Sequence, residues 1–354
     1  MPALDGIRGL GAVAVICAHY FNTSAGGAGY CIEVFFALSG FLITTLLLEE
    51  HDRTGGITLG MFYRRRAYRL LPALFTVLAV YLILMSGSPV RALEQVAVAV
   101  FYVTNIVMAL GLHILGVWHY NPFWSALTPF WSLAQEEQFY LLWPAVLVFL
   151  LSRRVRESRI AVTLTCAFIG LVLYRAGLGL SGASWNRLWF GPDTHADGLV
   201  LGCLLAFLRR RGLHVPSWMG WLGLMFFLGV IAWNLPLGDA GPAIAFGLGP
   251  LALAATVLVG AALEPGLFSR CLACRPVVWL GMISYSLYLW HMTVFWLFNW
   301  RHPFIALPVT LLVATVSYYK VEKPLRSAHR RKRAAVEAAD SMPAIELPAV
   351  PAKT

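Results

Sequence analysis

Eleven apolar stretches follow one another between residues 8 and 320, and they constrain the fold more than any other feature of this chain. They run near 8–22, 30–48, 70–87, 93–116, 137–151, 160–177, 197–208, 217–236, 242–262, 277–300 and 303–319. A membrane-spanning helix needs about 20 mostly apolar residues, and lipid admits only helices or closed barrels. The sequence therefore predicts an all-α polytopic membrane protein. Residues 1–325 form one transmembrane domain, with no window left for a separate soluble domain.

The positive charge is distributed as it is in membrane proteins. Charged residues make up only 12% of the chain, yet the net charge is +10, and most arginines and lysines fall in short clusters between apolar stretches. Such clusters mark cytoplasmic loops. They occur at residues 53–69, 153–159, 209–211, 270–275 and from 320 onward. We therefore expect a multi-pass protein of the inner (plasma) membrane, in contact with lipid and without a nucleic-acid partner.

A parity argument indicates one broken segment. The clusters at 53–69 and 153–159 should both be cytoplasmic, but three apolar stretches lie between them, and an even number of crossings is required. The stretch 93–135, rich in His and Pro, is expected to contain a re-entrant or broken helix, which is tolerated where it lines a cavity or is buried in protein. This gives about ten transmembrane helices with both termini cytoplasmic. Residues 326–354 are expected to form a disordered cytoplasmic tail.

Ionisable residues follow one face of the first apolar stretch. Arg8 and His19 are eleven residues apart, so both project from the same side of a helix, about 16 Å apart along its axis. Asp5 lies within about 40° of the same line. Ionisable groups inside a membrane usually face a protein interior or a water-filled path, and they favour a functional site.

Other polar residues have both a functional and a structural interpretation. Glu33 is expected at a depth similar to that of His19, where a carboxylate could fix an imidazole tautomer, but an acid at the lipid headgroups is equally consistent. Glu136 shares a helix face with Tyr140, although acids in a first turn also complement the helix dipole. Ser39, followed by glycine, most simply allows close helix packing; as a nucleophile it would need a nearby base.

The remaining candidates are two arginines and two histidines. Arg66 and Arg69 are i,i+3 neighbours that could hold one anion together, or could only anchor the loop on the cytoplasmic side. His195 and His291 are each expected on the outer side or in the outer half of the bundle, and either could be structural. The six cysteines include a lone CxxC with no second pair, so no metal site is expected.

In this order and spacing, the motifs resemble the acyltransferase-3 family of integral membrane acyltransferases over about residues 3–325. The resemblance rests on LDGIR at residues 4–8 and the Arg-x10-His spacing of Arg8 and His19. It continues through FFALSGF at 35–41, RAYRLLP at 66–72, WSLAQEEQFY at 131–140 and SYSLYLWH at 284–291. The family pattern would place arginine where His195 stands, a departure that bears on the choice of acceptor.

The resemblance implies a bundle that moves an acyl group, most often acetyl, from cytosolic acyl-CoA to a hydroxyl of a carbohydrate or glycosylated acceptor. Acyl-CoA is then a substrate, and no bound cofactor is expected. His19 carries over as the essential histidine, a base or an acyl carrier, with Arg8, Arg66 and Arg69 as donor contacts. Glu136 and Tyr140 carry over as important residues of less defined role. Together with His19, Glu33 and Glu136 are taken as the catalytic candidates. Two alternatives stay open. One is a transporter or flippase for a sugar-containing substrate, and the other is a different polytopic acyltransferase acting on lipids or peptides.

Overall fold

The computed structural model describes residues 1–21, 29–112, 126–233 and 241–328. Their regular structure is helical and contains no strand. The helices are α1 (Pro2–Phe21), α2 (Ile32–Thr54), α3 (Leu59–Leu84), α4 (Pro89–Val100), α5 (Thr104–Leu110), α6 (Phe130–Ser152), α7 (Glu157–Leu180), α8 (Trp185–Phe190), α9 (Asp197–Arg210), α10 (Met219–Trp233), α11 (Gly241–Ala262), α12 (Leu267–Leu272), α13 (Arg275–Leu297) and α14 (Pro303–Ser317). A π-helical turn, Tyr318–Glu322, joins α14 to a last helical turn ending at Ala328.

Seven of the helices in these ranges are long and apolar enough to cross a membrane, and the count is eight if one bent pair forms a single span. The prediction of an all-α multi-pass protein is confirmed. The count of ten and the cytoplasmic termini stay predictions. α9, with 14 residues, is about 21 Å long and falls short of the roughly 30 Å hydrocarbon core. The predicted tail lies outside the described residues, apart from 326–328, which continue the last helix.

The predicted broken segment corresponds to α4 and α5. Their axes differ by 109° across a break of no more than four residues. Gln138 of α6 closes this break, because its side-chain amide donates to the carbonyl of Tyr102 (2.8 Å) and exchanges hydrogen bonds with Asn105 (2.8 and 3.1 Å). The carbonyl of Tyr102, which lies at the break, is therefore hydrogen-bonded within the protein. Lipid could not provide such a hydrogen bond. His113, His119 and Pro122, on which the prediction of a break was based, lie outside the described residues.

Glycines bring two pairs of helices into backbone contact. A Cβ atom at Gly9 would meet the carbonyl oxygen of Val277, and one at Gly281 would meet that of Asp5, so α1 and α13 cannot pack this closely with larger residues. Gly40 of α2 lies in the same way against the backbone of Leu199 in α9. Gly40 therefore allows the close helix packing expected at this step, and a role of Ser39 beyond packing stays a prediction. The two pairs hold the polar residues described next.

Candidate functional site

A pair of histidines joins the far end of α1 to α13. Nδ1 of His19 lies 3.1 Å from Nε2 of His291, with the two rings stacked at a centroid distance of 5.1 Å. His291 is fully buried and His19 is half-buried. The next residue of α1 holds the same partner, because the Tyr20 hydroxyl donates to the carbonyl of His291 (2.6 Å) and lies 2.5 Å from the hydroxyl of Thr310. Two adjacent residues of α1 thus fix His291 by its ring and its backbone.

The same stretch of α13 contacts the beginning of α6. The Tyr288 hydroxyl donates to the carbonyl of Pro129 (2.7 Å) and lies 2.6 Å from the Ser132 hydroxyl. Its ring is also tilted against His291, at a centroid distance of 5.4 Å. Three of the sequence motifs, those of α1, α6 and α13, therefore meet around the histidine pair.

An arginine cluster lies around the other end of α1. Arg69 of α3 is close enough to Arg8, Arg66 and Arg326 to be repelled by all three positive charges. Acidic groups offset part of this charge: Glu136 lies within electrostatic range of Arg8 and Arg66. The structure therefore brings Arg8, Arg66 and Arg69 together, as the resemblance implied, but their role in binding a donor stays a prediction.

The two acids at the start of α6 have separate partners. Glu136 accepts hydrogen bonds from Ser39 (3.0 Å) and Tyr140 (3.2 Å). Glu137, which sequence reasoning passed over, forms the ion pair with Arg66 (3.0 Å). The guanidinium of Arg66 also lies over the ring of Tyr140, with its central carbon 3.1 Å from the ring centroid. The predicted residues Ser39, Glu136 and Tyr140 thus form one hydrogen-bonded group beside the arginine cluster.

A cavity of about 570 Å³ opens between α2 and α3 next to this cluster. Its charged walls are strongly basic: four arginines face two glutamates, and one of those acids is already paired, because Arg65 holds Glu50 at 2.8 Å. An anionic ligand with several phosphate oxygens could accept charge-assisted hydrogen bonds from more than one guanidinium group here. The charged residues lining it are Glu49, Glu50, Arg53, Arg65, Arg66 and Arg69.

Glu33 belongs to a third group, the buried ionic network of Glu33, His195, Arg175 and Asp197. The sequence placed Glu33 at the depth of His19, but its carboxylate pairs with His195 at 2.7 Å, and its catalytic role stays a prediction. All four side chains are fully buried. Arg175 donates to the carboxylate of Asp197, to the carbonyl of Thr194 (2.8 Å) and, through Nε, to a carbonyl of α11 (3.1 Å).

The loop that carries His195 is held from both sides. Nδ1 of His195 is 2.6 Å from the carbonyl of Trp189, and Gln135 donates to the His195 carbonyl. Arg187 forms an ion pair with Asp193 at 2.5 Å. Burial raises the pKa of Asp193, but the hydrogen bond and charge of Arg187 outweigh it, so the net pKa lies below the ordinary value. The loop position is therefore fixed by charge as well as by packing.

Asp5 is the last of the predicted site residues, and Arg175 is a buried ionic residue that the sequence analysis did not name. Asp5 lies at the α1–α13 contact, where its backbone carbonyl packs against Gly281. Arg175 was missed, although a lone arginine inside the apolar stretch 160–177 was a visible signal of a buried partner. In the described part of the chain, no three His, Cys, Asp or Glu side chains come together as metal ligands would.

Fold and site together define a multi-pass α-helical membrane protein with ionisable groups inside its bundle. The chain belongs to the acyltransferase-3 family, whose model, described as an acyltransferase domain, matches residues 1–319. It is 31% identical over 351 residues to O-acetyltransferase OatA of Staphylococcus aureus strain NCTC 8325 / PS 47. It is also 31% identical over 352 residues to the putative O-acetyltransferase SAS0844 of strain MSSA476.

Both alignments cover 92% of this chain but 57% of the relative. The chain thus spans a little over half the length of the curated proteins it matches. No solved structure matches it. The family predicted from the sequence motifs is confirmed, whereas activity, donor and acceptor are matters for proposal.

Proposed function

We propose that this protein is an O-acyltransferase that moves an acetyl group from cytosolic acetyl-CoA to a hydroxyl of a carbohydrate or glycosylated acceptor. The observation that carries the proposal is the arrangement along α1. One end of this single helix bears Arg8, beside a basic cavity of about 570 Å³, and the other bears His19 in contact with a second histidine. The names of the S. aureus relatives, O-acetyltransferases, support the choice of acyl group and acceptor atom.

The two ends of α1 would contact different parts of the donor, acetyl-CoA. The arginine cluster would hold the phosphates of coenzyme A, because guanidinium groups form charge-assisted hydrogen bonds with phosphate oxygens. An extended pantetheine arm would then run along α1 and bring the thioester toward His19, about 16 Å away along the helix axis. Binding energy at the remote phosphates would position the reacting group.

His19 would act at the reacting atoms. As a general base it would take the proton of the acceptor hydroxyl while the hydroxyl oxygen attacks the thioester carbonyl. The C–S bond would then break, and the proton held by His19 would pass to the leaving sulfur, so that coenzyme A departs as the thiol. The alternative route, transfer of the acyl group to His19 first, uses the same residue. Glu136, hydrogen-bonded to Ser39 and Tyr140, would fix polar groups between the two ends.

The experiment is acetyl-CoA turnover by protein purified into nanodiscs, with wild type compared with His19→Ala. A general base contributes about 10²–10⁴-fold, so the variant should lose at least about 100-fold in turnover. His302→Ala, at an exposed histidine at the start of α14, is the control and should keep full activity.

Full turnover by folded His19→Ala would remove this residue from the mechanism. If wild-type protein neither binds nor consumes acetyl-CoA but moves a sugar-containing substrate across the membrane, the transferase proposal is wrong and the protein is a transporter.

A further inference from the structure

The hydrogen bonds of His291 determine which of its ring nitrogens carries the proton. Nδ1 of His291 lies 2.7 Å from the carbonyl oxygen of Tyr288, and a carbonyl only accepts hydrogen bonds. Nδ1 must therefore be the protonated nitrogen, since an unprotonated Nδ1 would point its lone pair at the carbonyl lone pairs at this distance and be repelled. Neutral His291 then presents the lone pair of Nε2 to its other neighbour.

That neighbour is His19, and the protonation state of His291 determines which ring nitrogen of His19 carries the proton. Nε2 of His291 and Nδ1 of His19 are 3.1 Å apart, within hydrogen-bond distance. A doubly protonated His291 would reverse this bond, but it would be a fully buried cation, and among the described residues no acidic side chain is hydrogen-bonded to its ring. With Nε2 of His291 as acceptor, Nδ1 of His19 carries the proton and Nε2 of His19 keeps its lone pair.

We infer that His291 is a positioning residue that holds His19 in the tautomer with a free Nε2, the atom that takes the acceptor's proton. This inference rests on the proposed function for its chemical meaning, but the tautomer itself is a property of the resting protein. His291 would act on His19 as the third residue of a hydrolase triad acts on its histidine, which it holds in the correct tautomer. The partner here is a neutral imidazole.

The backbone around His291 is built to keep this geometry. The Tyr20 hydroxyl holds the His291 carbonyl at 2.6 Å, and Thr310 of α14 lies 2.5 Å from that hydroxyl. The carbonyl of Tyr288 accepts the hydrogen bond from Nδ1, and the hydroxyl of Tyr288 is held by the carbonyl of Pro129, just before α6, and by Ser132 of α6. The orientation of the buried His291 ring is thus fixed by contacts from four helices, α1, α6, α13 and α14.

The first test compares two substitutions of similar size in purified protein. His291→Gln can place its amide oxygen where Nε2 stood and accept the proton of His19, whereas His291→Leu offers no acceptor. We expect His291→Leu to lower kcat by about 10- to 100-fold, less than the about 10⁴-fold seen when a charged orienting group is lost. KM for acetyl-CoA should stay unchanged, and His291→Gln should recover much of the lost kcat. Equal activity of His291→Leu and wild type would overturn the inference while leaving the proposed function intact.

A second measurement needs no activity. Nitrogen-15 NMR of histidine-labelled protein in nanodiscs distinguishes protonated from unprotonated ring nitrogens, and His19→Ala assigns the His19 signals among the nine histidines. We expect Nδ1 protonated and Nε2 bare in wild type and in His291→Gln, and a mixture of tautomers in His291→Leu. A proton on Nε2 of His19 in the wild type would refute the inference whatever the enzyme does. Failure of the proposed function would show instead as absent turnover in a wild type whose tautomer is as expected.

Discussion

Replacement of Arg175 should destabilise the bundle more than any surface substitution. Its guanidinium is fully buried and forms three contacts: the carboxylate of Asp197, the carbonyl of Thr194 and the carbonyl of Ala245. These contacts join α7 to α9, to the loop before it and to α11. Arg175→Met keeps most of the side-chain volume but leaves the Asp197 carboxylate buried without its cation.

The size of the effect follows from that unpaired acid. Breaking a buried ion pair by removing one partner costs about 3–5 kcal/mol. Asp197 is the first residue of α9, where the helix dipole stabilises a negative charge by roughly 0.3–1 kcal/mol. The dipole therefore offsets only a small part of the loss, and we expect the free energy of unfolding to fall by about 3 kcal/mol or more. Arg175→Met with Asp197→Leu removes both charges and should regain most of this loss.

The assay is reversible unfolding in mixed detergent micelles, followed by the fluorescence of the 13 tryptophans. Arg64→Met is the matched control, because Arg64 is exposed on α3 and surface substitutions usually change stability by less than about 0.5 kcal/mol. A loss of less than about 1 kcal/mol in Arg175→Met, or additive effects in the double variant, would refute the account of a buried pair.

Three further predictions concern other parts of the molecule. Arg69→Ala should raise KM for acetyl-CoA with little change in kcat, whereas Arg64→Ala, outside the basic cavity, should match wild type; unchanged donor affinity in both would make the arginines topological anchors only. Gly40→Ala should lower the yield of monodisperse protein, because its methyl group would overlap a backbone carbonyl of α9, while Gly60→Ala, with open space around it, should be tolerated; equal yields would contradict the close packing. Hydrogen bonds from a histidine and an arginine lower the pKa of Glu264, so its contribution to stability is present at neutral pH and is lost as the pH falls through that lowered pKa. Thermal unfolding across the acid range should therefore show a decline that Glu264→Gln makes shallower, and identical profiles would rule this contribution out.

The sequence could predict what depends on one helix at a time. The spacing of Arg8 and His19 placed both on one face of α1, and that helix is continuous from Pro2 to Phe21. The parity of the charge clusters located the break that α4 and α5 form. Family motifs identified His291 without indicating its partner. Each of these inferences used only helix geometry, the bilayer or a resemblance in the order of motifs.

What the sequence could not predict depends on how separate helices are rotated and at what depth they lie. Glu33 was expected at the depth of His19, with contact to an imidazole as one of two interpretations, and the histidine it contacts is His195, far away in the sequence. Adjacent acids on α6 point about 100° apart, so the choice of Glu137 over Glu136 as the ion-pair partner of Arg66 is decided by α3. The apolar stretch was placed at 137–151, yet the helix begins at Phe130, and most of the residues from 130 to 135 are buried inside the protein. Contacts between helices determine the partner of Glu33, the partner of Arg66 and the start of α6.

The packing of α1 against α13 bears on the choice between a transferase and a transporter. An alternating-access transporter rocks or gates one group of helices against another around its binding site. Here glycine contacts at Gly9 and Gly281 bring the two helices into backbone contact, and side-chain hydrogen bonds from His19 and Tyr20 lock them at the other end. Relative movement of α1 and α13 would break both sets of contacts at once. Two helices that hold His19 3.1 Å from His291 suit a reaction requiring fixed geometry, and this supports the proposed chemistry at His19 over passage of a substrate past it.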